Sequence, residues 1–223
     1  MKILITAISP EDFSKLIRKT HKKQFKVAFL LGFGSGMRLS EIVGSCKKKS
    51  NCCEEDLIKE KKKDKNMIIT CSKCKKELNM KKDTYVSDEV EIKPVTEDMI
   101  NTKDKSIRIK GKGEVERIVP LPKGFKEYML KLLPLNKTYS NIKSARRSMQ
   151  RAFKTAAKRA GILKKNPKLH FHSLRHGFGT HMANQGIPIH HIKTLMGHSN
   201  ISTTNVYLES NPKKALESYE ELF

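Results

Sequence analysis

The sequence predicts a mainly helical α+β domain with one small antiparallel sheet. Three observations carry this. Apolar residues recur at helical spacing near the N-terminus and again across the C-terminal third. Between them, Ile107-Arg108-Ile109-Lys110 and Arg117-Ile118-Val119-Pro120-Leu121 alternate with period two around Gly111-Lys112-Gly113, the pattern of a β-hairpin. No internal repeat interrupts this order.

The elements follow in order. Ser9-Pro10-Glu11-Asp12 starts a helix, because serine caps and proline suits the first turn, and Phe13, Leu16 and Ile17 then share one face. A second apolar helix runs from about Gln24 to Phe33 and ends in a glycine-rich turn at Gly32, Gly34 and Gly36. A third, short one carries Ser40 to Val43. Residues 46–93 are Lys-rich, show little periodicity and hold all five cysteines, so they read as an inserted segment. After the hairpin come helices over Asn141 to Ala160 with Gly161 as its stop, His172 to Asn184, Ile189 to Met196, and Asn200 to about Glu209. The tail from Pro212 to Phe223 is amphipathic.

Composition narrows the partner. Among 223 residues, 46 are Lys or Arg and 23 are Asp or Glu, a formal net charge of +23. Such an excess suits a polyanion, since neutralising phosphates releases counterions. There is no Trp and there are five Tyr, too few for a good base-stacking platform, so contacts to a nucleic acid should go mainly to phosphate. No apolar run is long enough to span a bilayer, and the N-terminus lacks the features of a signal peptide. A cytoplasmic, reducing location is expected, with thiols or metal-bound cysteines rather than disulfides. Cys71-Ser72-Lys73-Cys74 has the spacing of half a zinc knuckle, and Cys46 and Cys52 are the first choice for the other two ligands, with Cys53 as the alternative. A structural zinc and free thiols both stay open.

The chemistry-bearing residues concentrate late. All histidines but His21 lie between His170 and His198. His172 and Arg175 are three apart, on one helical face. Gly197-His198-Ser199 follows a helix, and Tyr207 falls on the next. Breaking a phosphodiester without a metal needs cations that hold charge on the non-bridging oxygens, an acid for the leaving oxygen, and a nucleophile whose proton can leave. Arginine serves best as clamp, because its planar fork binds two phosphate oxygens. Taken singly, each motif is an ordinary surface feature: a solvated helix face, a hairpin turn, a loop. Their conjunction and order carry the reading.

His172 to His181, then Leu195-Met196-Gly197-His198-Ser199, then Ser202-Thr203-Thr204-Asn205-Val206-Tyr207 resemble the signature of the tyrosine recombinase (phage integrase) family. Gly36-Met37-Arg38-Leu39-Ser40-Glu41 resembles its first arginine motif, and Lys110 to Glu114 with the following strand its lysine hairpin. The resemblance spans about 9–210, the cysteine segment excepted. It implies the tyrosine recombinase catalytic-domain fold over 1–223, with 46–93 as a cysteine-containing insertion. Family members usually carry an N-terminal core-binding domain as well; with the arginine motif at residue 38 none is expected here, so the protein would work without it or the chain would be a catalytic fragment. The resemblance implies site-specific recombination on double-stranded DNA through a 3′-phosphotyrosyl intermediate, without metal or ATP. Arg38 and Arg175 would clamp the scissile phosphate. Lys112 would protonate the leaving 5′-oxygen, and Tyr207 would attack. His172 would bond the phosphate and help take the tyrosine proton, and His198 would donate to a non-bridging oxygen. A homo-tetramer on paired sites would follow, with the tail docking on a neighbouring protomer. A type IB topoisomerase-like relaxase and a non-catalytic DNA-binding accessory protein are the alternatives.

Overall fold

The computed structural model describes residues 6–61, 67–111 and 116–197. The expected helix at Asn200 to Glu209 and the tail from Pro212 lie outside these residues.

Helix α1 (Pro10–Arg18) starts as its sequence requires: the Ser9 hydroxyl accepts the Asp12 amide at 3.2 Å, and proline fills the first turn. Helix α2 (Lys23–Gly34) is apolar on most sides because it runs through the core; Val27, Ala28, Phe29 and Leu31 are fully buried. Its end turns sharply at Gly36, whose φ is +64°. Glycine is required there twice over, since a Cβ would also sit 2.5 Å from the Phe178 ring. Helix α3 (Leu39–Val43) follows at once.

Residues 45–92 form four strands. β1 (Ser45–Ser50) pairs antiparallel with β4 (Thr84–Ile92), and β2 (Leu57–Lys61) with β3 (Met67–Cys71). Ser45 lies opposite Ile92, so the chain leaves and re-enters the helical body at neighbouring points, and the Val95 amide then donates to the Glu41 carbonyl at 2.9 Å. A third sheet, of three strands, has the order β5 (Ile100–Asn101), β6 (Ser106–Lys110), β7 (Glu116–Pro120). Ile107 and Ile109 of β6 point inward and Arg108 and Lys110 outward, the alternation expected of a half-buried strand.

Helix α4 (Ile142–Arg159) is capped by Asn141, whose side-chain oxygen accepts the Ser144 amide at 2.8 Å. It buries Ala145, Met149, Phe153, Ala156 and Ala157, while arginines and lysines occupy its other face. After short α5 (Ile162–Lys165) come α6 (His172–Asn184) and α7 (Ile189–Met196), with the bounds that the sequence predicts. Phe29 of α2, Phe153 of α4 and Phe171 just before α6 meet at centroid separations of 5.8, 5.9 and 6.3 Å, Phe29 edge-on to the other two. A smaller cluster of Phe178, Ile192 and Met196 joins α7 to α6. No helix among the described residues is long and apolar enough to cross a membrane.

Candidate active site

A buried carboxylate organises the site. Glu41 sits on α3 with its side chain 1% exposed, where an unpaired charge would be prohibitively costly. Arg117 of β7 grips it with both terminal nitrogens, Nη1 to Oε1 and Nη2 to Oε2, each at 2.9 Å. Arg38 adds Nη1 to Oε1 at 3.1 Å and its own amide to Oε2 at 2.6 Å. Burial alone pushes the Glu41 carboxyl upward, but the hydrogen bonds and charge of Arg117 and the Arg38 amide outweigh it, so the group lies below the usual carboxylate range.

The same arginines hold the end of α7. Arg117 Nε donates to the Leu195 carbonyl at 2.9 Å, Arg38 Nη2 to Gly197 O at 3.2 Å, and Arg175 Nη2 to Met196 O. Arg175 Nη1 also donates to Gly36 O at 2.6 Å. These donors meet carbonyls left free by the end of α7 and by the turn after α2. The helix stops at Gly197 (φ +59°), where a Cβ would lie 2.9 Å from Arg117 Cδ. Three guanidinium groups therefore hold the turn at Gly197.

The structure thus brings Arg38, His172 and Arg175 together and separates them by depth. Arg38 keeps 36% of its side chain exposed, whereas Arg175 is 2% exposed. His172, on the first turn of α6, reaches the surface at a cleft of about 430 Å³ that it shares with Arg38, Arg146 and Lys154. Its ring meets His176 edge-on at 4.7 Å. Desolvation, then the neighbouring charges of His176, Arg175, His170 and Arg38, lowers the His172 imidazole to about 4. Desolvation and the charges of His170 and Arg175 do the same to His176. Both rings are accordingly neutral at pH 7. In an NMR titration of the free protein, both should take up protons well below the ordinary imidazole value of 6.5. A midpoint at or above 6.5 for His172 would contradict this electrostatic reading.

Lys112, His198 and Tyr207 lie outside the described residues. Lys110, the rival of Lys112 on the hairpin, pairs across it with Glu116 at 3.4 Å. Sequence reasoning missed Arg117. The available signal was its position two residues before Val119, on the inward face of an alternating strand.

The cysteine expectation needs one correction. The thiols that converge are Cys52, Cys53, Cys71 and Cys74, with all four sulfurs within 4.8 Å of one another. Cys46 is not among them. It lies on β1, on the way to the turn that carries Cys52 and Cys53, where burial and the charge of Asp88 push its thiol up. Cys71 is held down to about 6 by the Ser50 hydroxyl and by the amides of Cys74 and Lys73.

A broad groove of about 1330 Å³ runs from this module past Arg38, Arg117 and Arg146 to Lys193 on α7, with Lys47 and Lys48 on its module wall. The helical body and its small antiparallel sheets are those of a tyrosine recombinase catalytic domain. The model of the phage integrase family matches residues 87–214. The chain is 30% identical over 133 residues to tyrosine recombinase XerC of Haemophilus influenzae, covering 55% of this chain and 44% of that protein. It therefore spans less than half the length of that relative. The catalytic domain of bacteriophage HP1 integrase superposes with a TM-score of 0.52 at 17% identity, covering 97% of this chain and 95% of that one. The XerH site-specific recombinase in its post-cleavage complex with palindromic difH substrate gives 0.57 at 16%, covering 97% and 53%. The chain belongs to the phage integrase family.

Proposed function

We propose that this chain cuts and rejoins DNA strands as the catalytic domain of a site-specific recombinase. The observation that carries the reading is the joint placement of Arg38 and Arg175 on the carbonyls that end α7, with a neutral His172 in the cleft it shares with Arg38, beside a groove that Arg38, Arg117, Arg146 and several lysines line. The groove lysines and Arg146 hold the flanking phosphates, which suits a net charge of +23.

In the reaction, the Tyr207 oxygen bonds to the scissile phosphorus and the bond from phosphorus to the 5′-oxygen breaks. The tyrosine proton passes to His172, which is free to accept it because its ring is neutral. Lys112 gives a proton to the leaving 5′-oxygen. Arg38, at the cleft mouth, takes the phosphate directly. Arg175 reaches it by exchanging its bonds to Gly36 and Met196 for phosphate oxygens, since a side chain 2% exposed has no other route. His198, one residue beyond the held turn, donates to a non-bridging oxygen. A 5′-hydroxyl from a partner strand then attacks the same phosphorus and gives its proton back to Lys112, the phosphorus–Tyr207 bond breaks as His172 returns the tyrosine proton, and the DNA strand is resealed. No step draws on a metal or ATP. Recombination between two sites calls for four protomers, with the tail from Pro212 docking on a neighbour, in the cytoplasm.

The test is a suicide substrate, a nicked duplex that traps the covalent intermediate, drawn from DNA flanking the coding region. An SDS-stable adduct should form without added metal, and peptide mapping should put it on Tyr207. An adduct on another residue, or none on any flanking sequence, overturns the assignment.

A further inference from the structure

The cysteine module hides a structural repeat. In residues 50–55, the Ser50 amide donates to Glu55 O at 2.9 Å and the Glu54 amide to Ser50 O at 3.0 Å. In residues 71–76, the Cys71 amide donates to Lys76 O at 3.0 Å and the Lys75 amide to Cys71 O at 3.0 Å. The fifth residue of each turn is left-handed, with φ +58° at both Glu54 and Lys75. Left-handed backbone is unfavourable for side chains of this kind, so both turns adopt a conformation their own residues resist. Position for position, Ser50 matches Cys71 and Cys53 matches Cys74.

Each turn thus presents its first and fourth side chains to the other. Ser50 is fully buried, with its hydroxyl 3.3 Å from Cys71 Sγ, in the place a paired knuckle would give its first thiolate. The missing sulfur comes from Cys52, whose Sγ lies 3.5 Å from Cys74 Sγ. Four thiolates around one tetrahedral zinc, at Zn–S of about 2.3 Å, stand roughly 3.8 Å apart. The four sulfurs here lie within 4.8 Å of one another, so a small contraction closes the site.

A second line of argument concerns what holds the module together. Among the described residues, none from 45 to 94 belongs to the main hydrophobic core, and the turns join two separate two-stranded sheets. Two-stranded sheets are marginal alone, and modules this small need a staple. The thiol cluster lies where β1 and β3 end, on one turn from each sheet.

We propose that Cys52, Cys53, Cys71 and Cys74 bind one structural zinc ion, with Cys52 substituting for a ligand at position 50. The metal fastens the β1–β4 ribbon to the β2–β3 ribbon, and with them the module wall of the basic groove.

The test is elemental analysis of the full chain, purified in reductant without chelator and incubated with one equivalent of zinc before desalting. One zinc per chain is expected, and no iron. Cobalt in its place should give the intense charge-transfer and d–d bands of a tetrahedral tetrathiolate, a readout that needs no variant. Cys46→Ser should keep the full zinc content, whereas Cys71→Ser and Cys74→Ser should lose more than about nine-tenths of it. Cys52→Ser should pass zinc to a competing chelator at least about tenfold faster, and adding Ser50→Cys should restore retention. Wild-type protein that holds no zinc after this incubation, iron in its place, or a loss in Cys46→Ser equal to that in Cys71→Ser overturns the site. Failure of Ser50→Cys to restore Cys52→Ser overturns the substitution of Cys52 for position 50.

Discussion

Alanine at Arg38 or at Arg175 is expected to slow adduct formation about 10²- to 10³-fold, the usual consequence of deleting one preorganised donor to a charged transition state. The two variants should differ sharply in stability. Arg38 is part exposed, and Glu41 keeps both hydrogen bonds from Arg117 when Arg38 is truncated. Its loss should cost about 1 kcal/mol, the net worth of an ordinary hydrogen bond. Arg175 is 2% exposed and serves two main-chain carbonyls, Gly36 O and Met196 O, from opposite sides. Truncating it strands both, at about 1–3 kcal/mol for each buried acceptor left unpaired. Suicide-substrate kinetics beside urea denaturation separate the effects. An Arg38→Ala variant with an unaltered adduct rate would remove Arg38 from the phosphate clamp. Equal stability losses in the two variants would contradict the depth difference seen here.

The same depth difference explains what the sequence disclosed. Helices α6 and α7 were legible because left-handed glycines, Gly186 and Gly197, stop them. The hairpin was legible because one face of β6 meets the core and the other meets water. Strands β1 to β4 were not, for a physical reason: neither face of them packs on the core, so Ser45-Cys46-Lys47-Lys48-Lys49-Ser50 carries no alternation to read. Backbone pairing makes them strands, with surface pairs such as Lys47–Glu89 across β1 and β4. The choice of Cys46 over Cys53 failed for a related reason. Spacing rules presume two ligands per knuckle at its first and fourth positions, and here serine occupies one of those positions. The Glu41–Arg117 pair was invisible because its members lie 76 residues apart, and no local pattern ties an acidic residue on a helix to a basic one on a distant strand. Arg38, His172 and Arg175 were readable only through family resemblance. Their meeting at the end of α7 became apparent only in the fold.

Replacing Glu41 by alanine should cost about 3–5 kcal/mol, the range for removing one partner of a buried ion pair. That is a large share of the roughly 5–15 kcal/mol that holds a domain folded. The loss arises less from the missing attraction than from Arg117, 7% exposed, being left with an unpaired charge. Glu41→Ala combined with Arg117→Met should therefore be less destabilised than the sum of the single variants. Strict additivity would show that the two groups are not coupled. The pH dependence follows from the lowered carboxyl: its contribution is present above the ordinary value of 4.5 and is lost as pH falls through the folded-state value. The gap in urea stability between wild type and Glu41→Ala should thus be widest near pH 7 and should shrink at pH 3. His172 and His176 add to acid lability in a neighbouring window. The unfolded chain takes up their protons from about 6.5 downward, whereas the folded one resists until about 4. Activity should fall in Glu41→Ala even where the protein stays folded, because Arg117 and Arg38 carry the Leu195 and Gly197 carbonyls and so hold the turn that ends α7. Glu41 does not touch the phosphate in this scheme. It fixes the two arginines, one of which does, and through them the turn that ends α7.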